Sequence, residues 1–407
     1  MRIFVLFAAA TLAFAQTRTV TDAEVMRVHK SALLIDTHND VTSRTVEGFD
    51  IGERNASDRP THTDLPRMKE GGMGAQFFAV YVAASYVNGN HSANRTLQMI
   101  DTVRHDIVGR YPNDFMFATT AAQIEAAHRQ GKIAALMGIE GGHAIEDSLR
   151  LLRDYYALGI RYMTLTHSNT NNWADSSGDI DRADVQHHNG LTDFGKDVVR
   201  EMNRLGMMVD ISHVADKTFW DALQVSSAPI FASHSSCRAL CNVPRNMTDD
   251  MIVALAKKGG VVQINFSCGF LSQKVADADK NAQQDNAAVR QRMERETAGK
   301  TLTPEQRRAL TAKIRAEMGI QPGPRATLQD VVAHIDHVRK IAGVDAVGLG
   351  SDFDGIGCTP EGLDDVSKWP NLTRALLEKG YSAEDIRKIY GGNLLRVMRG
   401  VEAAAEK

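Results

Sequence analysis

Seven side chains that can bind a metal ion or handle a substrate lie at or just past the C-terminal ends of short apolar segments. They are His38, Asp40, Glu140, His167, His213, His234 and Asp352. Neutral imidazole nitrogens and carboxylate oxygens bind zinc and similar divalent cations. The same groups transfer protons during hydrolysis. Their positions therefore predict the metal centre of a hydrolase.

The convergence of several candidate ligands carries this prediction. His38 and Asp40 stand two residues apart, so both can project past the end of an extended segment toward one point. Alone, such a pair is weak support, because a histidine near a strand end is more often a hydrogen-bonded structural residue. His213 and His234 strengthen it, because they end two consecutive apolar segments and add two imidazoles.

Glu140 lies among small residues in the segment Gly138-Ile139-Glu140-Gly141-Gly142, where its carboxylate can bridge two cations. Three imidazoles and two carboxylates exceed what one tetrahedral zinc with an open position requires. We therefore expect a binuclear centre with two Zn²⁺ per subunit and Glu140 shared. Such a pair of ions holds a hydroxide nucleophile at neutral pH, which could attack a scissile carbonyl.

Three further roles concern the substrate. His167 is placed to polarise the scissile carbonyl, or alternatively to support a metal ligand. Arg245, in the loop after the sixth apolar segment, can grip a carboxylate with two hydrogen bonds, or alternatively form a surface ion pair. Asp352 can take a proton from the attacking water and pass it to the leaving amine. His143 and Asp354 lie nearby, and we expect structural roles for both.

Eight short apolar segments without strict alternation predict strands buried on both faces. They span residues 32–35, 76–82, 133–137, 162–165, 207–211, 229–232, 261–266 and 346–349. Between them, segments such as 191–205, 251–258 and 328–341 have helical spacing and end before glycine. Strands that alternate with helices predict a parallel sheet, and eight such units predict an α/β fold, a (β/α)8 barrel of the TIM type.

Composition agrees with one such domain over residues 16–407. The chain has 407 residues, of which 43% are hydrophobic, which is enough for one well-buried barrel. A formal net charge of −3 and the absence of a basic stripe argue against a nucleic acid partner. The polar segment 272–325 predicts a helical insertion after the seventh strand. It is either a solvated excursion or a lid or subunit contact over the site.

The first 15 residues have the pattern of a secretory signal peptide. Arg2 precedes an apolar stretch, and Ala13-Phe14-Ala15 stands just before Gln16. No other window has the length and hydropathy of a membrane span, and the last residues do not match a lipid-anchor signal. The sequence therefore predicts an exported protein, periplasmic or secreted, without a membrane span or lipid anchor.

Four cysteines permit three pairings, and the sequence does not choose among them. They are Cys237, Cys241, Cys268 and Cys358. One disulfide and a pair of buried free thiols are equally compatible with the pattern. Zinc binding by this set is not expected, because no Cys-x-x-Cys spacing occurs.

Several motifs, in order, resemble the membrane (renal-type) dipeptidase family of zinc peptidases, within the wider amidohydrolase-like barrels. The similarity extends from about Leu33 to Val397. The motifs are Ile35-Asp36-Thr37-His38-Asn39-Asp40, Gly138-Ile139-Glu140-Gly141-Gly142-His143, Arg161-Tyr162-Met163-Thr164-Leu165-Thr166-His167, Asp210-Ile211-Ser212-His213, Ser233-His234-Ser235-Ser236, Asn242-Val243-Pro244-Arg245-Asn246, Gly348-Leu349-Gly350-Ser351-Asp352-Phe353-Asp354-Gly355 and Gly391-Gly392-Asn393-Leu394-Leu395-Arg396.

The resemblance implies a role for each site residue. His38 and Asp40 would hold one zinc, His213 and His234 the other, and Glu140 would bridge them. His167, Arg245 and Asp352 would contact the substrate. The family hydrolyses dipeptides with a free amino end and commonly tolerates a D-residue at the C-terminal position, and a homodimer is expected by the same analogy.

Some features depart from the family pattern. Asn169 stands two residues after His167, where animal members usually have a disulfide-bonded cysteine. The lipid-anchor tail of the mammalian enzymes has no counterpart, and the insertion at 272–325 is long. The side-chain preference of the substrate is therefore open. The main alternative is an N-acyl-amino-acid deacylase or another amidohydrolase with the same metal centre, since a fold and its ligands do not determine the substrate. A non-catalytic binding protein is disfavoured, because all eight proposed site residues are present.

Overall fold

The structure is a computed structural model that describes residues 19–55, 60–298, 303–321 and 323–405. The predicted signal peptide, residues 1–15, lies outside these ranges and stays a prediction. Among the described residues, no helix combines the length and the apolar character that crossing a membrane requires.

The described residues contain one sheet of nine strands, all paired in parallel. The strands are β1 Leu34–Asn39, β2 Met73–Tyr81, β3 Phe115–Phe117, β4 Ile133–Glu140, β5 Ile160–Thr164, β6 Met208–Asp210, β7 Phe231–Ser235, β8 Val261–Ile264 and β9 Val347–Leu349. Eight of them follow one another in the order β1-β2-β4-β5-β6-β7-β8-β9, and each overlaps a predicted segment. The predicted (β/α)8 fold is therefore confirmed.

Strand β3 was not predicted. It is three residues long, and it pairs with the first half of β4, on residues Ile133 to Ala135. The second half of β4, from Met137 to Glu140, pairs with β5 instead. Because only Phe115 of β3 is fully buried, its hydrophobic pattern is too short to distinguish it from a loop.

The barrel closes at its C-terminal end through backbone contacts between β1 and the segment after β9. The Asp352 N–H donates to the His38 carbonyl at 3.0 Å, and the Asp40 N–H donates to the Phe353 carbonyl at 2.8 Å. The Thr37 hydroxyl donates to the Leu349 carbonyl at 3.1 Å. Closure therefore occurs beside three of the predicted site residues.

Helices cover the outside of the barrel and connect its strands. They are α1 Asp22–Ser31, α2 Thr42–Thr45, α3 Leu65–Glu70, α4 Ser92–Thr102, α5 Ala121–Arg129, α6 Leu149–Leu158, α7 Asp193–Leu205, α8 Asp216–Val225, α9 Asp249–Lys257, α10 Cys268–Leu271, α11 Gln273–Thr297, α12 Pro304–Glu317, α13 Leu328–Ala342, α14 Trp369–Glu378, α15 Ala383–Arg387 and α16 Asn393–Ala404. Short 3-10 or π-helical turns occur at Ala84–Val87, Val103–Gly109, Gly142–Ile145, Val344–Ala346, Val366–Lys368 and Lys388–Gly392.

Helix α7 shows how local sequence sets these boundaries. Its buried face carries Val198, Val199 and Met202, as the helical spacing predicts. The side chain of Thr192 caps the first turn, so the helix begins two residues later than the predicted segment. Gly206 ends it with a φ of +81°, a left-handed conformation that glycine adopts without strain.

Helices α11 and α12 lie between β8 and β9, where the sequence predicts a helical insertion. They pack against each other through Val289, Met293 and Ile314, which form a small apolar cluster separate from the barrel core. The Thr303 side chain and Gln306 form a reciprocal capping box at the start of α12. The insertion is thus a helical hairpin with a core of its own.

The structure pairs Cys268 with Cys358 in a disulfide and leaves Cys237 and Cys241 as buried thiols. The paired cysteines are 90 residues apart in sequence, and the segment between them contains the α11 and α12 hairpin. The disulfide therefore ties α10 to the loop that follows β9.

We expect Gly138→Ala to destabilise the barrel. A Cβ at this position on β4 would lie 2.0 Å from the Tyr162 ring on β5, and Tyr162 is fully buried. Overpacking of this kind costs about 1–3 kcal/mol. Chemical denaturation should show this loss, whereas Gly323→Ala, where a Cβ meets nothing within 4 Å, should leave the unfolding midpoint in place. Equal midpoints for the two variants would contradict the packing described here.

Candidate metal centre

Four imidazoles surround one carboxylate oxygen at the C-terminal end of the barrel. Glu140 is the last residue of β4, and its Oε1 lies 2.9 Å from His213 Nε2 and 3.3 Å from His234 Nε2. The Nε2 atoms of His38 and His167 lie at 3.5 and 3.7 Å. The structure thus brings the four predicted histidines together around the predicted bridging carboxylate.

The ring of His38 is oriented by a buried tyrosine. His38 Nδ1 lies 2.8 Å from the Tyr162 hydroxyl, which itself donates to the Thr37 carbonyl at 3.0 Å. The hydroxyl hydrogen is therefore engaged, and the oxygen accepts the proton of Nδ1. In the neutral ring the lone pair therefore lies on His38 Nε2, which is buried and has no hydrogen-bond partner among the described residues. This is the tautomer that a metal ligand requires.

His234 is oriented in the same way from another strand. Its Nδ1 lies 2.7 Å from the Ser233 hydroxyl, which donates to Asp210 Oδ2 at 2.6 Å. Asp210 also accepts hydrogen bonds from the Thr164 hydroxyl and from the Ser212 and Ser233 N–H groups. This buried carboxylate therefore joins β5, β6 and β7 directly beneath the histidines and directs the lone pair of His234 Nε2 into the site.

Two more carboxylates lie beside His38. Asp40 Oδ2 is 3.3 Å from His38 Nε2, and Asp352 belongs to the same group of possible ligand atoms. Asn265 donates to Asp352 Oδ2 at 2.9 Å and holds that side chain in place. A Cβ on Gly355 would lie 2.4 Å from oxygens of both Asp40 and Asp352, so only glycine leaves room for the two carboxylates.

Two site residues have left-handed backbone conformations. His213 has a φ of +66° and Asp352 a φ of +63°, which are unfavourable for residues with a Cβ and cost about 1–3 kcal/mol each. The His213 carbonyl accepts hydrogen bonds from Thr166, Ser176 and Ser177, which hold the strained turn. Strain of this kind is typical of sites where a side chain must point in one direction.

The charges of the cluster suit a cation. Burial alone would raise the pKa of Glu140, but the imidazoles of His38 and His167 outweigh it and hold that pKa well below its usual range. Burial lowers the pKa values of His213 and His234, so both rings are neutral. The ionised carboxylate of Glu140 and the neutral imidazoles of His213 and His234 offer lone pairs to a metal ion.

The carboxylates near His38 also favour a bound cation. Burial, together with the carboxylates of Asp40 and Glu140, raises the pKa of Asp352 well above its usual range. The pKa of His38 is also raised, because Tyr162, Glu140 and Asp40 outweigh the effect of its burial. The carboxylates thus attract positive charge, whether a proton or a metal ion carries it. The donor atoms and the unpartnered His38 Nε2 therefore fit a metal centre.

Arg245 lies next to this cluster with its guanidinium fixed. Its Nη1 donates to the Ser235 hydroxyl and its Nη2 to the His234 carbonyl, both at 2.7 Å. Its Cζ lies 5.5 Å from the centre of the Phe270 ring. The described residues provide no ion-pair partner for Arg245, and its buried Nε has no hydrogen-bond partner among them. The geometry disfavours the surface ion pair and leaves N–H groups for a ligand.

A cavity of about 440 Å³ opens over the cluster. It is lined by Asp40, Glu140, His167, His213 and Asp352. The side chain of His167 is partly exposed, and its Nδ1 lies 3.0 Å from the Ser168 hydroxyl. Five predicted site residues thus face one space that can hold a small ligand.

Sequence analysis missed Tyr81, which lines the same cavity. Its ring packs edge-on against His167, with centroids 4.9 Å apart. Burial, with the carboxylates of Glu140 and Asp40, raises the pKa of Tyr81 to about 12, so the hydroxyl stays protonated and can donate a hydrogen bond. Tyr81 is the last residue of β2, and that position at a strand end was the signal that could have identified it.

His143 and Asp354, for which we expected structural roles, form hydrogen bonds with backbone groups. His143 Nε2 lies 2.9 Å from the Val82 carbonyl. Asp354 Oδ1 accepts from the His62 N–H at 2.7 Å, and burial raises the pKa of Asp354 to about 7. Both contacts hold loops at the edge of the site.

Comparison with known proteins identifies the family of this chain. The profile of the family described as membrane dipeptidase (peptidase family M19) matches residues 22–407. The chain belongs to the membrane dipeptidase family. This M19 protein is therefore a metallopeptidase of the dipeptidase type, a hydrolase that acts on peptide bonds, and its histidine and carboxylate clusters are candidate metal ligands.

Solved structures of similar proteins cover most of the M19 chain. The probable dipeptidase PvdM from Pseudomonas aeruginosa is 27% identical, with a TM-score of 0.76 over 94% of this chain and 98% of its own. Dipeptidase AC, a metallo peptidase of family M19, is 26% identical, with a TM-score of 0.71 over 91% and 98%. A metallo peptidase from Rhodobacter sphaeroides, liganded with a phosphinate mimic of the dipeptide L-Ala-D-Ala, is 25% identical, with a TM-score of 0.70 over 91% and 99%.

We expect Tyr162→Phe to weaken metal binding by about 10–100-fold without unfolding the protein, because it removes the acceptor that orients His38. Chelator competition monitored by metal content measures this affinity. Tyr155→Phe is the matched control, since that buried hydroxyl donates to the Ala144 carbonyl outside the site. If both variants retain metal like the unchanged protein, the orienting role of Tyr162 is wrong.

Proposed function

We propose that this M19 protein is an exported binuclear zinc dipeptidase that hydrolyses free dipeptides and tolerates a D-residue at the C-terminal position. The observation that carries the proposal is the placement of Arg245. A fixed guanidinium with unused N–H groups is bonded to the backbone of the candidate ligand His234 and lies over the ring of Phe270, which lines a cavity of about 440 Å³. In a dipeptide, the peptide bond and the terminal carboxylate are one residue apart. A carboxylate on Arg245 would therefore place the peptide bond near the cluster of candidate metal ligands.

His38 and Asp40 would hold one zinc ion, and His213 and His234 the other, with Glu140 shared. Glu140 shares one group of possible ligand atoms with His38 and His234 and another with His167 and His213, which supports its role as the shared ligand. The division of the histidines between the two ions follows the family resemblance. Bound zinc lowers the pKa of a coordinated water toward neutrality and polarises a carbonyl oxygen.

The side chains around the cluster then have distinct tasks. Arg245 binds the substrate carboxylate with two parallel hydrogen bonds, which orients the C-terminal residue. Asn265 occupies Asp352 Oδ2, so Oδ1 is the atom that takes a proton from the attacking water and returns it to the leaving amine. His167 Nε2 lies on the cavity side of Glu140 and donates to the carbonyl oxygen as negative charge develops there.

Tolerance of a D-residue is supported by the Rhodobacter sphaeroides relative, which is liganded with a mimic of L-Ala-D-Ala. Export is supported by the signal-peptide pattern of residues 1–15 and by the Cys268–Cys358 disulfide, since disulfides persist mainly in oxidising compartments. The homodimer stays a prediction from family resemblance, and light scattering would test it.

The substrate class is tested by amino acid release from L-Ala-L-Ala, L-Ala-D-Ala and N-acetyl-D-Ala, each with zinc-loaded and with chelated protein. We expect cleavage of both free dipeptides and not of the acetylated compound. Chelation should abolish the activity, and added Zn²⁺ should restore it. Cleavage of N-acetyl-D-Ala alone would make the protein a deacylase, and turnover that survives complete metal removal would contradict the metal mechanism.

The role of Arg245 is tested by Arg245→Met. Loss of charged hydrogen bonds of about 1.5–3 kcal/mol should reduce kcat/KM by about 10–100-fold, mainly through KM. Arg399→Met is the charge-matched control, because Arg399 pairs with Glu125 on the protein surface. Asp352→Asn should instead lower kcat by about 100-fold or more with the metal content unchanged. A normal KM in Arg245→Met would remove the residue from substrate binding.

A further inference from the structure

The cavity over the metal cluster has two walls that come from distant parts of the chain. Ser267 and Phe270, at helix α10, line one side. Gly355, Ile356 and Gly357, in the loop after β9, line another. We define these as the α10 wall and the β9 loop wall. Their separation sets the room available to a bound ligand.

The Cys268–Cys358 disulfide joins these two walls directly. Cys268 lies between the two lining residues of the α10 wall, and Cys358 immediately follows Gly357 of the β9 loop wall. The Cα atoms of the two cysteines are 5.6 Å apart. The Cys268 N–H also donates to the Cys358 carbonyl at 3.3 Å. The covalent bond thus lies at the edge of the substrate cavity rather than in a remote part of the fold.

The β9 loop wall has few other backbone ties. Within residues 355–358, the described structure provides one hydrogen bond from the Gly355 N–H to the Asp352 carbonyl and the one that Cys358 accepts from Cys268. Two of the four residues are glycines, and a Cβ on Gly357 would meet nothing within 4 Å. Ile356 and Cys358 pack against the barrel core, but few backbone hydrogen bonds hold this segment, and the disulfide is its covalent tie to α10.

The α10 wall is connected to the residue that would bind the substrate carboxylate. The Asn246 side chain donates to the Phe270 carbonyl at 2.8 Å, and the Cys241 thiol donates to the Gly269 carbonyl at 3.3 Å. The guanidinium of Arg245 lies over the Phe270 ring. A substrate whose carboxylate binds Arg245 therefore places its C-terminal residue beside Phe270.

We infer that the Cys268–Cys358 disulfide fixes the spacing of the two walls and so limits the side chain accepted at the C-terminal position of the dipeptide. This inference rests on the proposed function. Phe270 and Ile356 are the apolar side chains of the two walls, so the preferred C-terminal residue is apolar and small. A longer apolar side chain is excluded by wall spacing and is accepted better when the walls can separate.

The test compares kcat/KM for L-Ala-D-Ala and L-Ala-D-Phe in the full-length zinc-loaded protein before and after reduction by a water-soluble trialkylphosphine. The phosphine becomes its oxide with an oxygen from water, and the disulfide becomes two thiols. Thiol titration of the denatured protein should find two thiols before reduction and four after. We expect the preference for L-Ala-D-Ala to fall by about tenfold, a typical discrimination by an apolar pocket.

Two variants accompany this reduction. Cys268→Ala with Cys358→Ala should reproduce the loss of preference without reductant. Cys237→Ala is the control, since it removes a buried thiol that no disulfide uses, and its preference should stay that of the unchanged protein. Ile356→Ala widens the β9 loop wall with the disulfide intact and should shift the preference in the same direction, even if the double variant fails to fold.

Metal content and thermal unfolding are measured on every sample. An unchanged preference in the reduced protein overturns the inference, and so do four free thiols before reduction. A fall in both activities that follows metal loss also overturns it, because the disulfide would then serve the metal centre. If the unreduced protein cleaves neither dipeptide, the proposed function fails first, which separates the two conclusions.

Discussion

The carboxylate of Glu140, with four imidazole nitrogens between 2.9 and 3.7 Å from one of its oxygens, is the constraint that shapes this molecule. Burying an ionised carboxylate next to imidazole lone pairs costs free energy unless a cation compensates the charge. The four histidines come from different strands or the loops after them. In this fold the closed parallel barrel, whose strand ends meet at one rim, brings these groups to a common point.

Two buried carboxylates hold the strand ends at this rim together through hydrogen bonds. Asp210 joins β5, β6 and β7 by accepting four hydrogen bonds from neighbouring hydroxyl and N–H groups. Asp36 joins β1 to the chain after β9 by accepting two from Ser351. Burial raises the pKa of Asp36 to about 6, although the bonds from Ser351 lower it. Each carboxylate lies close in sequence to a metal-type histidine, His38 or His213. A shift of either strand would therefore move the buried carboxylate and the neighbouring histidine together.

The substrate side of the site is built on less regular structure than the metal side. The metal-type ligands extend from strands or strongly bonded turns, whereas the cavity walls come from α10 and from a glycine-rich loop. Loops of this kind vary readily and carry specificity in barrel enzymes. The Cys268–Cys358 disulfide ties one such loop to α10, whose Phe270 ring lies beneath the guanidinium of Arg245. In the proposed function, chemistry and specificity would therefore depend on different parts of the fold.

Short apolar segments and the polar residues that follow them were enough to predict eight barrel strands and the positions of the candidate ligands. This worked because strands of a parallel barrel are buried on both faces and because their C-terminal ends share one rim. The boundaries were less accurate. The first strand extends to Asn39 and contains His38, and the short strand β3 has too little pattern to be recognised.

Sequence by itself thus determined the fold class and the set of residues that could bind a metal ion, since both depend on local pattern. Tertiary structure alone decided that Cys268 pairs with Cys358, that Tyr162 sets the tautomer of His38, and that Asn265 holds Asp352. Each of these contacts joins residues 87 to 124 positions apart. No local spacing encodes such a contact, because it exists only after the barrel closes and brings distant strand ends within hydrogen-bonding distance.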